Sequence, residues 1–149
     1  MYAITQEDPD SPDARRLIDE LSATLARIAG DNGPSPFDLS EARAPQARFV
    51  IARDASGQAL GCGALRPIAR DIAELKRMYA RQGRNGVGSA MLKHLEEEAR
   101  QLGYRALWLE TRKINTVAVA FYQRHGYLII PNFGKYAGRD DAVCFAKSL

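Results

Sequence analysis

The run Glu74-Leu75-Lys76-Arg77-Met78-Tyr79-Ala80, followed by Gly83-Arg84-Asn85-Gly86-Val87-Gly88-Ser89, decides the fold. A short extended segment feeds a glycine turn, and an amphipathic helix begins in that turn. Glycine lets backbone N–H groups turn inward with no Cβ in the way. A helix N-terminus adds unpaired donors and a partial positive charge. Together they form a cradle for phosphate, and Lys76, Arg77, Arg81 and Arg84 around it add an anion-attracting field. Two common phosphate loops fail on required residues. A Walker loop needs a lysine after its last glycine, and Gly88 is followed by Ser89-Ala90. A dinucleotide fingerprint needs a third glycine, and Met91 stands there. A plain structural turn is the remaining alternative.

Working outward, the chain reads as alternating strands and helices. Tyr2 to Thr5 reads as a short strand. Ser11-Pro12-Asp13 opens a helix with Ser as cap and Pro in the first turn. Leu17, Ile18, Leu21, Leu25 and Ile28 recur at helical spacing, and Gly30 stops the helix. Asp31 to Pro36 is linker-like, and a short helix is expected over Asp38 to Arg43. Arg48–Arg53 and Ala59–Leu65, joined by Ala55-Ser56-Gly57-Gln58, read as an antiparallel hairpin. Ile72 to Ala80 is a strand, Gly86 to Leu102 the central helix, Arg105 to Thr111 a strand, and Asn115 to His125 a helix. Tyr127–Ile130 and Ala142–Lys147 close the pattern as a strand pair.

Length and composition fit one domain of enzyme size: 149 residues, 46% apolar and 26% charged. No apolar run approaches the ~20 residues of a membrane span. Met1 to Asp8 lacks the basic start and apolar stretch of a signal peptide, so the expected location is cytoplasmic, with no membrane partner. The net charge of +3 suits an anionic ligand. No basic-aromatic interleaving points to nucleic acid. Cys62 and Cys144 have no metal-type spacing and read as buried free thiols. Neither His94, inside the central helix, nor His125, in the last turn of its helix, points to a metal, and none is expected.

The glycine turn has a downstream companion. Asn115, Ala118, Phe121-Tyr122 and Gly126-Tyr127 fall in an Asn-x-x-Ala-x-x-aromatic-Tyr-x-x-x-Gly-aromatic pattern. With Gly86-Val87-Gly88 and the apolar helix positions Ala90, Met91, Leu92, Leu95 and Ala99, the chain resembles the GCN5-related N-acetyltransferase (GNAT) superfamily. The resemblance covers about residues 47 to 149. It departs from the family where Gly83 replaces the usual Arg or Gln before the loop, and the segment from Tyr79 to Gly86 is about two residues short. The family's fold is α/β, a mixed and mostly antiparallel central sheet flanked by helices, here a single domain over 1–149. It implies acetyl-CoA as cosubstrate, a small-molecule amine or protein amino group as acceptor, and a homodimer as one candidate state. Direct transfer in a ternary complex is the implied reaction. A protein that binds an acyl-CoA without turnover is the alternative.

The resemblance also implies roles, each with a plainer structural counterpart. Met78, Tyr79 and Ala80 would supply main-chain hydrogen bonds to the pantetheine amides. Gly83, Arg84, Asn85, Gly86, Val87, Gly88 and Ser89 would hold the pyrophosphate. Asn115 would bind the pantetheine arm, or simply cap its helix. Tyr122 is the candidate general acid for the leaving thiolate, or a packing residue beside Phe121. Glu74 is the preferred base, or an ion-pair partner, with Glu110 as the rival carboxylate. Strand alternation places Glu74, Lys76 and Met78 on one face. Phe133 and Tyr136 would line the acceptor pocket, with Asp38 or Glu41 attracting a cationic amine.

Overall fold

The computed structural model describes residues 2–30, 39–83 and 85–149. The proposed linker, the start of the short helix at Asp38, and Arg84 lie outside the described residues. Seven strands form one sheet among the described residues: β1 (Ala3–Gln6), β2 (Arg48–Arg53), β3 (Ala59–Pro67), β4 (Ile72–Ala80), β5 (Ala106–Arg112), β6 (Leu128–Ile130) and β7 (Ala142–Ser148). Their spatial order is β1-β2-β3-β4-β5-β7-β6. Every pairing is antiparallel except β4 with β5. The helices are α1 (Pro12–Ala29), α2 (Leu39–Ala42), α3 (Val87–Gln101) and α4 (Thr116–Arg124).

Local chemistry explains the helix ends. The Ser11 side chain accepts from Ala14 N, Pro12 occupies the first turn, and Gly30 at φ 76° ends α1. Such a cap stabilises a helix by ~1 kcal/mol. Asn115 caps α4 in the same way, accepting from Ala118 N. Gly86, in the left-handed region at φ 83°, precedes α3 and turns the chain from β4 into it.

The helices cover opposite faces of the sheet. Leu92, Leu95 and Ala99 of α3 and Tyr122 of α4 pack on Val50, Leu65, Leu75, Leu107, Leu109 and Phe145. On the other face, Ala14 and Leu17 of α1 pack on Phe49, Ile51, Cys62 and Ala64. A buried ionic group ties α3 to the sheet's far end: Glu96 accepts from the Tyr127 hydroxyl at 2.9 Å and from Lys147 Nζ at 3.0 Å. Both thiols, Cys62 and Cys144, are free and buried.

Two irregularities shape the centre. First, β4 and β5 pair over only Ile72–Ala106, Ala73–Leu107 and Glu74–Trp108, and then part. Second, β4 bulges against β3. Ala64 pairs Lys76 and Cys62 pairs Tyr79, so Gly63 alone faces Arg77 and Met78. Arg77 takes the bulge at φ 56°, an uncommon conformation for a side-chain-bearing residue. The Cys62 thiol donates to its carbonyl at 3.3 Å.

The bulge corrects the expected alternation. Glu74 and Lys76 share the α1 face, but Met78 packs with Leu75 and Leu95 on the α3 face. Tyr79, expected opposite, joins the α1 face. One extra residue in the strand flips the parity of everything after it.

The bulge also needs close backbone approach. A Cβ on Gly61 would lie 2.5 Å from the Tyr79 carbonyl oxygen and 2.9 Å from Met91 Cε. Overpacking of this kind costs ~1–3 kcal/mol, so Gly61→Ala should lower the urea midpoint accordingly with an unchanged slope. An unaltered midpoint would show that β3 and β4 are not this close at Gly61.

Candidate functional site

Where β4 and β5 part, a cleft of about 190 Å³ opens between them. Leu21, Leu25 and Ile28 of α1 wall it on one side, and Asn115, Ala118 and Tyr122 of α4 on the other. Past Glu74, β4 keeps β3 on one edge and has no β5 partner on the other. Met78, Tyr79 and Ala80 lie on this freed stretch, where an extended ligand could pair with main-chain groups.

The freed strand leads to the glycine turn. Gly83 and Gly86 both have positive φ, and a Cβ on either would meet nothing within 4 Å. The first backbone bond of α3 is Ala90 N to Gly86 O at 2.9 Å. The N–H groups of Val87, Gly88 and Ser89 therefore precede the helical ladder, as an anion site requires. The Val87 side chain is fully buried, and Gly88 lies close under the Phe121 ring. Ser89 Oγ is 3.0 Å from His125 Nε2. The turn is held from a distance: the Tyr2 hydroxyl donates to Asn85 O at 2.6 Å.

Arg81 does not add to the anion field as expected. Its guanidinium makes a two-pronged ion pair with Glu20 of α1, at 2.7 and 2.9 Å, and donates to Ala59 O. Glu20 also accepts from the Tyr79 hydroxyl at 3.1 Å. Arg81 and Tyr79 thus lock β4 to α1, and its charge is answered within the fold.

Tyr122 is buried at 8% exposure and lines the cleft. Its ring sits edge-on to Phe121 and Tyr127, at centroid distances of 5.2 and 5.6 Å. Burial pushes its phenol well above the usual range, so it stays protonated at neutral pH and can give a proton. The packing role and the cleft position coexist in one residue. Asn115 likewise caps α4 and lines the cleft.

The two carboxylates differ in their surroundings. Glu74 is 1% exposed. One oxygen accepts from Arg66, directly across on β3, at 2.8 Å, and the other from the Tyr136 hydroxyl at 2.7 Å. Both oxygens are therefore engaged. Glu110 Oε2 is buried and accepts no hydrogen bond among the described residues. Its nearest cation is Arg112 at 3.9 Å. Burial raises the Glu110 carboxyl above its ordinary value of 4.5, against the opposing charge of Arg112.

Tyr136, on a 3₁₀ turn (Gly134–Tyr136) that the sequence reading did not mark, lines the cleft. Phe133 stands behind it, packed on Trp108 and Tyr136 at 5.1 and 5.3 Å, and does not reach the cleft wall. Glu41 lies 3.5 Å from Arg66. Arg66, Tyr2 and Glu20 were missed in the sequence because nothing local marks them. The positive charge and extended setting of Arg66, opposite Glu74 in the hairpin register, were the available signal. No group of three or more His, Cys, Asp or Glu suited to a metal occurs among the described residues. No helix among them is long and apolar enough to cross a membrane.

Comparison with known proteins agrees with this geometry. A profile of the acetyltransferase (GNAT) family matches residues 14–127. The chain is 34% identical over 139 residues to an IAA acetyltransferase of Azospirillum brasilense, covering 89% of this chain and 88% of that one. A crystal structure from Klebsiella pneumoniae, assigned as an acyl-CoA N-acyltransferase, superposes with a TM-score of 0.85 at 28% identity. That match covers 100% of this chain and 98% of the other. A GNAT family acetyltransferase from Elizabethkingia anophelis, with acetyl-CoA bound, shares the fold with a TM-score of 0.71 at 17% identity, over 99% of this chain and 98% of that one.

The raised Glu110 carboxyl has a consequence for stability. The native state holds its proton at a pH where the unfolded chain, near 4.5, has lost it. The native state then binds more protons, so this group's contribution to stability falls as pH rises above about 4.5. Glu110→Gln removes that dependence. The stability of the wild type relative to Glu110→Gln, read by urea unfolding from pH 4 to 7.5, should decline with pH. A flat difference would place Glu110 in water.

Proposed function

The chain belongs to the acetyltransferase (GNAT) family, and on that premise we propose that it moves the acetyl group of acetyl-CoA to a primary amine by direct attack in a ternary complex. Residues 1–149 act as one N-acetyltransferase domain in this reading. The observation that carries it is the cleft itself. A freed strand edge runs to a helix N-terminus, with a buried protonated tyrosine on one wall and a half-buried carboxylate on the other.

Acetyl-CoA supplies an activated acyl carbonyl joined to a sulfur that leaves as thiolate. Main-chain groups of Met78, Tyr79 and Ala80 hold the pantetheine arm, and Asn115 closes on it from α4. The backbone of Gly83 to Ser89 receives the pyrophosphate. The turn has room for it, since neither Gly83 nor Gly86 faces an atom that would block an approaching oxygen. Tyr122 gives its proton to the departing sulfur. The attacking amine must first lose a proton, and a carboxylate at the acceptor end takes it.

Of the two carboxylates, Glu110 has the stronger claim. It has an oxygen without a hydrogen-bond donor, whereas both oxygens of Glu74 are occupied by Arg66 and Tyr136. Glu74 then serves to fix Tyr136 and Arg66 at the cleft wall. This reverses the order expected from the sequence.

Calorimetric titration with acetyl-CoA, against dephospho-CoA and ATP, tests the cosubstrate, and thiol release with an amine panel tests the transfer. Micromolar binding with acceptor-dependent thiol release is expected. Binding without release from any amine would mean an acyl-CoA-binding protein without turnover. Tyr122→Phe should lower kcat about a hundredfold, within the usual range for acid–base catalysis, with acetyl-CoA affinity kept. Undiminished turnover removes the acid role. The acid limb of kcat/KM should have its midpoint above 4.5 and vanish in Glu110→Gln. If it vanishes in Glu74→Gln instead, Glu74 is the base.

Tyr2→Phe removes a single hydrogen bond to Asn85 O. With the turn then ordered only on binding, the bond's net worth of ~1 kcal/mol sets the expected loss at up to about fivefold in acetyl-CoA affinity. Unchanged affinity would separate the β1 tether from the cofactor turn.

A further inference from the structure

The acceptor end of the cleft carries a charge imbalance. Five cations and two carboxylates line the whole cleft. Arg112 and Arg139 share Asp141, at 2.8 and 3.2 Å. Glu74 is bound to Arg66 at 2.8 Å, and Glu41 lies 3.5 Å from the same guanidinium. Glu110 has Arg112 at 3.9 Å. Arg77 has interactions of its own, and of the remaining cleft cations neither Lys76 nor Lys135 has a carboxylate within ion-pair distance among the described residues.

Lys76 is the informative one. It lies half-buried on the α1 face of β4, beside the point where the strands part. Burial lowers its pKa; the charge of Glu74 favours its protonation, and those of Lys135 and then Arg66 oppose it, with Glu41 a smaller favourable charge. A desolvated ammonium beside a second ammonium is unfavourable by itself. An anion bound between them would remove that cost. Lys135, on the 3₁₀ turn, lies over the Tyr136 ring at 5.6 Å, which keeps it at the cleft rim.

This pair is poorly placed for the cosubstrate's phosphates. Four strand residues, Arg77 to Ala80, separate Lys76 from the segment entering the glycine turn, ~13 Å at strand rise. The portion of acetyl-CoA expected beside Lys76 is its uncharged thioester end. The anion must then belong to the other substrate.

We infer that the acceptor amine bears an anionic group, carboxylate or phosphate, that docks between Lys76 and Lys135 while its amine faces the thioester. The inference rests on the acetyl-transfer reading above. It opposes the expectation that Glu41 draws a cationic amine, since Glu41 lies 3.5 Å from Arg66. The arrangement selects by difference. An acceptor lacking the anion leaves two ammonium groups facing an apolar ligand, and a polyamine brings a third cation to them.

The test is a matched panel assayed by thiol release. Each protein amino acid is set beside the amine left when its carboxyl group is removed, and phosphoethanolamine beside ethanolamine. The first arm reports carboxylate and the second phosphate. At least one member bearing the anion should exceed its partner lacking it at least tenfold in kcat/KM, mainly through KM. In the double variant Lys76→Met, Lys135→Met that ratio should fall towards one, and Lys76→Arg should restore part of it. Equal or reversed ratios overturn the inference and leave acetyl transfer standing. So does acetylation confined to peptide or protein amino groups. Acetyl-CoA binding with no amine acetylated, in this panel or among peptide and protein amino groups, overturns the inference together with the transfer reading. Loss of acetyl-CoA binding in the wild type itself, read by calorimetry, overturns the underlying reading instead.

Discussion

A parallel strand pair that lasts only three residues governs this molecule. Up to Glu74 and Trp108 the sheet is continuous, and beyond them β4 and β5 diverge. Unpaired backbone groups in a protein interior are costly, so a split sheet persists only where something else meets its edges. Here β4 keeps β3 on one side, while its other edge opens to the cleft. The bulge at Arg77 bends β4 away at this point, and glycines at 61 and 63 let β3 follow it closely. A bulge increases local twist and re-aims side chains. The split and the bulge are thus one deformation seen on the two edges of the same strand.

That deformation sorts the chemistry by face. On the α3 and α4 side the surroundings are aromatic and apolar, and Tyr122 sits among Phe121, Tyr127 and Phe145. Its phenol has no ionic partner there and burial holds it neutral. On the α1 side, Arg66, Glu74, Lys76 and Glu110 gather on three neighbouring strands, β3, β4 and β5, in a mixed charge field. A proton donor and a proton acceptor can coexist within one small cleft only if their environments push them apart. The parted strands supply two such environments a strand's width from each other.

The secondary structure was largely legible because each element carried its own local signal. Ser11-Pro12 and Gly30 bracket α1, β4 spans Ile72–Ala80 as the extended segment before the glycine turn, and Asn115 caps α4. What stayed hidden depends on contacts between distant residues. Alternation predicted Met78 beside Glu74, and the extra residue at Arg77 sent it to the opposite face. Nothing in the letters Lys76-Arg77-Met78 marks a bulge, because the bulged residue is not a glycine. Phe133 looked like a pocket residue from its place in a loop, yet Trp108 takes its ring. Arg81 looked like part of an anion-attracting field from its place near the glycines, but Glu20, sixty-one positions earlier, holds it.

The Arg81 pairing bears on the loop that departs from the family pattern. With Gly83 at the position where the family usually has arginine or glutamine, and with Arg81 already paired, this turn leans on its backbone donors among the described residues. What remains is geometry: Gly83 and Gly86 at positive φ, and the first N–H groups of α3. Such donors are useful only while the turn keeps its shape, since a misaligned N–H contributes little. The tethers act on that requirement. Tyr2, just before β1, fixes the Asn85 carbonyl, Glu20 fixes Arg81 and Tyr79 from α1, and Phe121 of α4 occupies the space beside Gly88. Three elements remote in sequence therefore hold one short turn. The charge of Arg81 thus anchors the strand that leads into the cradle.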